Sequence, residues 1–507
     1  MTSSSYETSR LAPYHALLGD EKPPTAARAR RAFRDLAAVQ GPETQEAYEL
    51  AARFTEFAPQ ESEKLLKPWR DAADPDAFAR LLVAPAFARE GRAEFELGRK
   101  LTLDCGIRHL TSLRTLRVFQ RKDLTELGGV AALTGLVELD LEGCKSLSDI
   151  GPLTTLTGLR TLNLHNSAVH DLTPLAGMTD LTTLVLSGCR ELTDLGPLAA
   201  LTGLEKLVLD NCPGVSDLGP LKALSNLRSL SVSRTSVRDF AALASLTGLT
   251  ELDASECAEL EFLEGLAHMP QLTALNLGGC TRLTSLHGLG SHPVLRRINL
   301  YGCTGLLDVS AVSGATGLTF FGLHGSAQLT SIDGIEGLPE IEYVYLRDCP
   351  GLRDLSVLGT LPRLESLNLI NLPQLRDASP IPRCEALIKL SIGKCPELTT
   401  LEGLPPLPAL DYLSASECPK LRTFGTGHEL PCLQSLFALY APSLADLGSV
   451  AELPKLEMLI ASHHSPGLDP AGLRGRAPFR SIGLDEEWKA RWSAEVDRAL
   501  RGRQDAS

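Results

Sequence analysis

Between Leu113 and Ala461 one phrase returns sixteen times, an apolar residue at positions 0, 3 and 5 of a 23-residue unit. The units begin at Leu113, Leu136, Leu159 and Leu181 and continue to Leu456; those starting at Leu159 and Leu227 are 22 residues long. A period this regular prescribes a stack, because one unit cannot bury its own apolar face and a row of them can. Such a chain grows in one dimension, so its length does not demand several globular domains.

The unit from Leu204 to Leu224, LEKLVLDNCPGVSDLGPLKAL, shows the local logic. The phrase Leu204-x-x-Leu207-x-Leu209 alternates around Leu207 and Leu209, the period of a half-buried strand. Val215, Leu218, Leu221 and Leu224 then follow at steps of three, which suits short 3₁₀ turns rather than a long α-helix. Asp at position 13 (Asp149, Asp194, Asp217, Asp354) and Pro in Gly-Pro-Leu (Pro152, Pro197, Pro220) favour a turn and discourage helix extension.

These units resemble leucine-rich repeats, L-x-x-L-x-L-x-x-(N/C)-x-x-L. The Asp-Leu-Gly-Pro-Leu portion is similar to bacterial internalin-type repeats, and Cys at position 8 to the cysteine-containing class. The resemblance implies an α/β solenoid, a leucine-rich-repeat horseshoe or arc with a parallel β-sheet on its concave face. The division expected is a flexible N-terminus (1–23), a helical cap or small helical module (24–98), the solenoid (99–480) and a C-terminal capping helix and tail (481–507). The resemblance is to a group of binding scaffolds, and it implies recognition rather than chemistry.

Nine of the twelve cysteines sit at position 8: Cys144, Cys189, Cys212, Cys257, Cys280, Cys303, Cys349, Cys395 and Cys418. One fixed phase is not a disulfide framework, and the spaced pairs of a zinc site are missing. The thiols are expected to be structural, each a small apolar body with a weak donor for an inward carbonyl, in a reducing compartment. Both 22-residue units carry Ser167 or Thr235 there instead, so Cys and loop length are expected to change together.

At the N-terminal end, helices are expected over Thr25–Val39, Glu43–Phe57, Gln60–Ala72 and Pro75–Glu90, with Leu101-Thr-Leu103 as a truncated first strand. They serve either as a cap or as a module with its own partner. At the other end Trp488, Trp492, Val496 and Leu500 form an amphipathic stripe that suits a lid.

Positions 2, 4 and 6 alternate with the buried leucines and should face the concave side, with position 7 at its rim. All five tyrosines of the repeats fall there: Tyr301, Tyr343, Tyr345, Tyr412 and Tyr440. Phe320, Phe437, Arg297, His324 and Arg347 join them, whereas earlier units display small, polar or acidic residues such as Thr161, Asn163, Glu251 and Asp253. Tyr and Arg are frequent binding hot spots, although strands favour aromatics in any case. The ten aromatic and basic residues are the candidate partner-binding set, and the partner expected is a protein or peptide.

The net charge of −13 argues against a general nucleic-acid binder. The N-terminus lacks a signal-peptide pattern and no run of about 18 apolar residues occurs, so a cytoplasmic chain without a membrane span is expected. Phosphate-loop, H-E-x-x-H and G-x-S-x-G motifs are absent. The adjacent His463 and His464 are poorly spaced for one metal, and no cofactor, metal or catalytic residue is expected. High Ala, Arg and Gly usage suits a high-GC bacterium, and a bacterial sensor or adaptor fits the resemblance. The alternative is a regulator of an enzyme, such as a GTPase-activating leucine-rich-repeat protein, drawing on Arg234 or Arg347.

Overall fold

The repeated phrase is a short strand followed by a left-handed residue and an inward side chain, and most coils up to β12 then turn through a 3₁₀ segment. The computed structural model describes residues 9–98, 102, 103, 105–425, 429–447, 453–462 and 481–483. It divides into two units, Met1–Leu227 and Arg228–Ser507.

The first unit opens with helices α1 (Ala12–Gly19), α2 (Ala26–Ala37), α3 (Thr44–Phe54) and α4 (Ser62–Arg70). Then come α5 (Pro75–Phe78), a π-helical stretch (Ala79–Val83) and α6 (Ala84–Glu90). Thr25 Oγ1 accepts from the Arg28 backbone N–H at the start of α2, and Asp74 Oδ1 from that of Ala77 at the start of α5. The π stretch lies just before Pro85, which has no N–H to give and whose ring collides with the carbonyl one turn back; widening the helix relieves both.

The flexible N-terminus expected over residues 1–23 is corrected from residue 9 on. Leu11 is fully buried, Tyr14 packs edge-on against Phe54 with centroids 6.5 Å apart, and His15 Nε2 lies 2.9 Å from Glu46 Oε1. Neither apolar contact shows a sequence period, because α1 is only two turns long.

Strands β1 (Glu94–Glu96), β2 (Thr115–Arg117), β3 (Glu138–Asp140), β4 (Thr161–Asn163), β5 (Thr183–Val185) and β6 (Lys206–Val208) follow. Each pairs in parallel with the next, one coil along. The stack therefore begins before residue 99. The first strand is Glu94–Glu96, not Leu101-Thr-Leu103, of which Thr102 and Leu103 are not strand. Phe95 and Leu97 alternate with exposed glutamates, and a Phe in the leucine place hid the pattern. The rings of Trp69 and Phe87 lie 5.8 and 5.6 Å from that of Phe95, so α4 and α6 cover β1. Trp69 Nε1 donates to the carbonyls of Pro75 and Cys105, tying the helices to the first coil.

The second unit contains β7 (Ser229–Ser231), β8 (Glu251–Asp253), β9 (Ala274–Asn276), β10 (Arg297–Tyr301), β11 (Phe320–His324) and β12 (Tyr343–Arg347). It continues with β13 (Ser366–Ile370), β14 (Lys389–Gly393), β15 (Tyr412–Ser416), β16 (Ser435–Leu439), β17 (Met458–Ser462) and β18 (Ser481–Gly483). These strands are also parallel and in register. The segment expected as a C-terminal capping helix and tail, 481–507, opens instead on β18; the rest of it, and His463 and His464, lie outside the described residues.

Inside each coil the residues at positions 0, 3 and 5 are buried without exception among the described units. Burying one such leucine contributes about 1.5–3 kcal/mol. Asp194 Oδ1 accepts from the Gly196 N–H and Asp217 Oδ1 from that of Gly219, both at 2.7 Å, launching the 3₁₀ segments Gly196–Ala200 and Gly219–Ala223. Position 7 is left-handed in all fifteen described units, with φ between 51 and 78°. Five of these residues are glycine; the rest include Asn166, Asp348, Glu417 and Tyr440.

All twelve cysteines are free thiols. Cys212, Cys257, Cys280 and Cys303 point Sγ at the position-5 carbonyls of Leu186, Val232, Ala254 and Leu277 in the preceding coil, at 3.1–3.2 Å. Ser167 and Thr235 place their hydroxyls 3.3 and 3.4 Å from the next coil's Cys189 and Cys257. The expected link between Cys and loop length holds in one direction only. Ser326 occupies position 8 in a full 23-residue unit and donates to the Cys303 carbonyl.

Candidate functional site: the open face of the strands

In β10 to β12 the buried leucine-type residues alternate with a displayed row. Tyr301 and Phe320 are 37% exposed, Tyr343 45% and Tyr440 57%, so these rings lie on the surface. Tyr345, His324 and Arg347 are half-buried by one another.

Parallel in-register pairing sets Tyr301 beside His324, and His324 beside Arg347. The Tyr301 ring lies 4.2 Å from that of His324 and 5.9 Å from that of Tyr345, stacked on it. The Tyr301 hydroxyl donates to Tyr345 Oη at 3.4 Å. Burial, then this contact with Tyr345, raises the Tyr301 phenol above its ordinary value, so the ring is neutral at neutral pH.

Phe320 lies across Gly322: a Cβ at 322 would stand 2.8 Å from Phe320 Cε1. His324 Nε2 donates to Asp348 Oδ2 at 2.6 Å, and Arg347 Nε to the same oxygen at 3.1 Å; the Asn371 amide donates to Asp348 Oδ1. Burial pushes the Asp348 carboxyl up, but Asn371, His324 and Arg347 outweigh it and hold it below its ordinary value.

The predicted set therefore separates into groups. Tyr301, Phe320, His324, Tyr343, Tyr345 and Arg347 form one patch over three strands. Tyr412 and Phe437 pair with each other at 5.1 Å between centroids, on β15 and β16. Tyr440 stands at the rim in the left-handed position. Arg297 stands on the same face of β10 and lines, with Phe320, a cleft beside the patch. Asp348 and Asn371 escaped the sequence reading, which treated position 7 as rim; no residue pattern marks the left-handed conformation that they share.

That cleft, of about 380 Å³, runs from β7 to β11. Ser229 and Ser231, Ala274 and Asn276 leave it open, and Glu251, Asp253, Arg297, Asn299 and Phe320 wall it. Its floor is a directional chain: Asn299 Nδ2 donates to Asn276 Oδ1 at 2.8 Å, and Asn276 Nδ2 to Asp253 Oδ2 at 3.0 Å. Each of the three also accepts from the backbone N–H two residues on, at Ser255, Gly278 and Tyr301. These Asx residues thus cap the strand end, and the charge of Asp253 is held by amides and a hydroxyl rather than by a cation.

Among the described residues no group of His, Cys, Asp and Glu could hold a metal ion. No described helix is long and apolar enough to cross a membrane.

The 23-residue coil, the parallel strands and the inward cysteines define a leucine-rich-repeat solenoid. Residues 157–200 match the family model described as leucine-rich repeats in two copies. Among solved structures the chain is similar to an internalin, InlF, of Listeria monocytogenes, at 23% identity and a TM-score of 0.47, covering 69% of this chain and 93% of that one. It is also similar to the functional domain of InlJ from Listeria monocytogenes, which includes a cysteine ladder, at 18% identity and a TM-score of 0.45 over 80% of this chain and 81% of that one. A leucine-rich-repeat protein of Leptospira interrogans aligns at 17% identity and a TM-score of 0.47, covering 75% and 98%. No curated protein matches the chain.

Proposed function

We propose that this protein is a non-catalytic recognition scaffold that grips a protein or peptide partner on the open face of β10 to β12, as a bacterial sensor or adaptor. The observation that carries the reading is the joined patch of Tyr301, Phe320, His324, Tyr343, Tyr345 and Arg347. Tyr301, Phe320 and Tyr343 are exposed, and Tyr301, His324, Tyr345 and Arg347 are held by one another and by Asp348. Pre-positioned tyrosine and arginine bury large area on binding at low entropic cost. Free, buried thiols support a reducing compartment such as the cytoplasm.

The test is affinity capture from the native cell with the chain and with its Tyr343→Ala/Tyr345→Ala/Arg347→Ala triple variant, read by mass spectrometry. The variant should keep its thermal transition and lose the partner at least tenfold. Retention of the same partner at the same strength ends this reading. Nucleotide hydrolysis by the captured partner, with and without the scaffold, separates plain recognition from enzyme regulation.

A further inference from the structure

The cleft beside the aromatic patch carries an unmatched charge pattern. Glu251 on β8 and Arg297 on β10 both occupy position 2 of their coils, separated by the coil of Ala274. Two strand spacings set their backbones about 9.6 Å apart. The methyl group of Ala274 leaves the space between them empty, and Ser229, whose hydroxyl donates to Glu251 Oε2 at 3.4 Å, leaves it open beyond Glu251. Neither Glu251 nor Asp253 has an ion-pair partner among the described residues, and neither has Arg297. This contrasts with the neighbouring rim, where Arg234 and Glu256 pair through two contacts of 2.7 Å. One wall of the cleft thus offers a carboxylate without a cation and the other a guanidinium without an anion, with the edge of Phe320 alongside.

We infer that this cleft takes an extended peptide segment of the partner that carries one cationic and one anionic side chain two residues apart, the cation against Glu251 and the anion against Arg297. This rests on the reading of the open face as the partner-binding surface. Residues i and i+2 of an extended segment point the same way about 6.6 Å apart, and long side chains span the remaining distance to the two walls. Asp253, held by Ser255 and Asn276, deepens the negative end. The amides of Asn276 and Asn299 give the segment's backbone a hydrogen-bonding floor. Two like charges leave one wall facing its own sign, so the mixed segment is preferred over either uniform one.

The experiment measures binding of capped synthetic pentapeptides with a central Lys-Ser-Asp, Lys-Ser-Lys or Asp-Ser-Asp, by fluorescence anisotropy, to the full chain and to its Glu251→Lys and Arg297→Glu variants. The mixed peptide should bind the native chain about threefold to tenfold more tightly than either uniform one, a preference that shrinks with added salt. Glu251→Lys should shift the preference to Asp-Ser-Asp, and Arg297→Glu to Lys-Ser-Lys. Equal binding of all three peptides, no binding of any, or an unchanged order in both variants overturns the inference. If the triple variant at Tyr343, Tyr345 and Arg347 still loses the natural partner in that event, the open face remains the binding surface and only the charge code is wrong.

Discussion

Phe320 lies across the α-carbon of Gly322, two residues along the same strand, so that a methyl group there would meet the ring at 2.8 Å. The missing side chain at 322 is what lets the ring lie down and separates the Tyr301–Tyr345 stack from the cleft. Gly322→Ala should lift Phe320 off the sheet. Partner affinity is expected to fall about tenfold, since a mispositioned aromatic anchor loses much of its contribution. The thermal midpoint should move little, because φ at 322 is not left-handed. Unchanged affinity would show that the ring's placement is immaterial to binding.

The Asp348 carboxylate, partnered by Asn371, His324 and Arg347, has its pKa held below the ordinary 3.8. A carboxyl depressed in the folded state contributes stability above its unfolded pKa, and that contribution disappears as pH falls through the folded value. Chemical denaturation of the chain and of Asp348→Asn, compared between about pH 6 and pH 2, should show the native advantage shrinking on the acid side. Parallel pH profiles would mean the carboxylate is not stabilised there.

Burial pushes the Cys303 thiol up to about 11, and burial with the neighbouring Cys189 pushes Cys212 up to about 12. The thiolate is the reactive form, so these groups should resist alkylation at pH 8. Cys432 alone of the twelve is not buried. Brief iodoacetamide treatment of the folded chain, followed by peptide mass spectrometry, should label Cys432 first and Cys212 and Cys303 only after denaturation. Early labelling of Cys280 or Cys303 would contradict the inward ladder.

Glu417 has φ of 56°, a conformation that suits glycine, and its contact with Lys394 is exposed and contributes little. Glu417→Gly should therefore raise stability by about 0.5–1 kcal/mol. Gly302 stands at the same position in its coil with φ of 75°, and a methyl group placed on it would meet no atom nearer than 3.5 Å. Gly302→Val should lower stability by about 1–3 kcal/mol from backbone strain alone. Equal denaturation midpoints for both variants and the native chain would refute a shared left-handed position.

Much of this was readable from residue order. The steps of three became 3₁₀ segments in most coils up to β12 and irregular turns after β9 and after β13 to β15, and Tyr301 and Tyr343, alternating with buried residues, stand on the surface. The reading failed where the cue is one residue or one short turn. β1 carries Phe95 where later coils carry leucine, α1 is too short for a period, and Ser326, in a full-length coil, shows that loop length alone does not set Cys at position 8. The left-handed position 7 was hidden because glycine, asparagine, glutamate and tyrosine all fill it.

The order of amino acids by itself determined the coil, its length and the face each side chain would take, because alternation and spacing act within one unit. Only the tertiary structure decided which displayed side chains meet. Tyr301 and Tyr345 are 44 residues apart, and their contact depends on parallel registry across two strand spacings and on a coil between them with glycine at position 4. The same registry leaves Glu251 and Arg297 on opposite walls without ion-pair partners among the described residues. Such neighbours across coils follow from stacking geometry and side-chain rotamers, which no local pattern in the chain records.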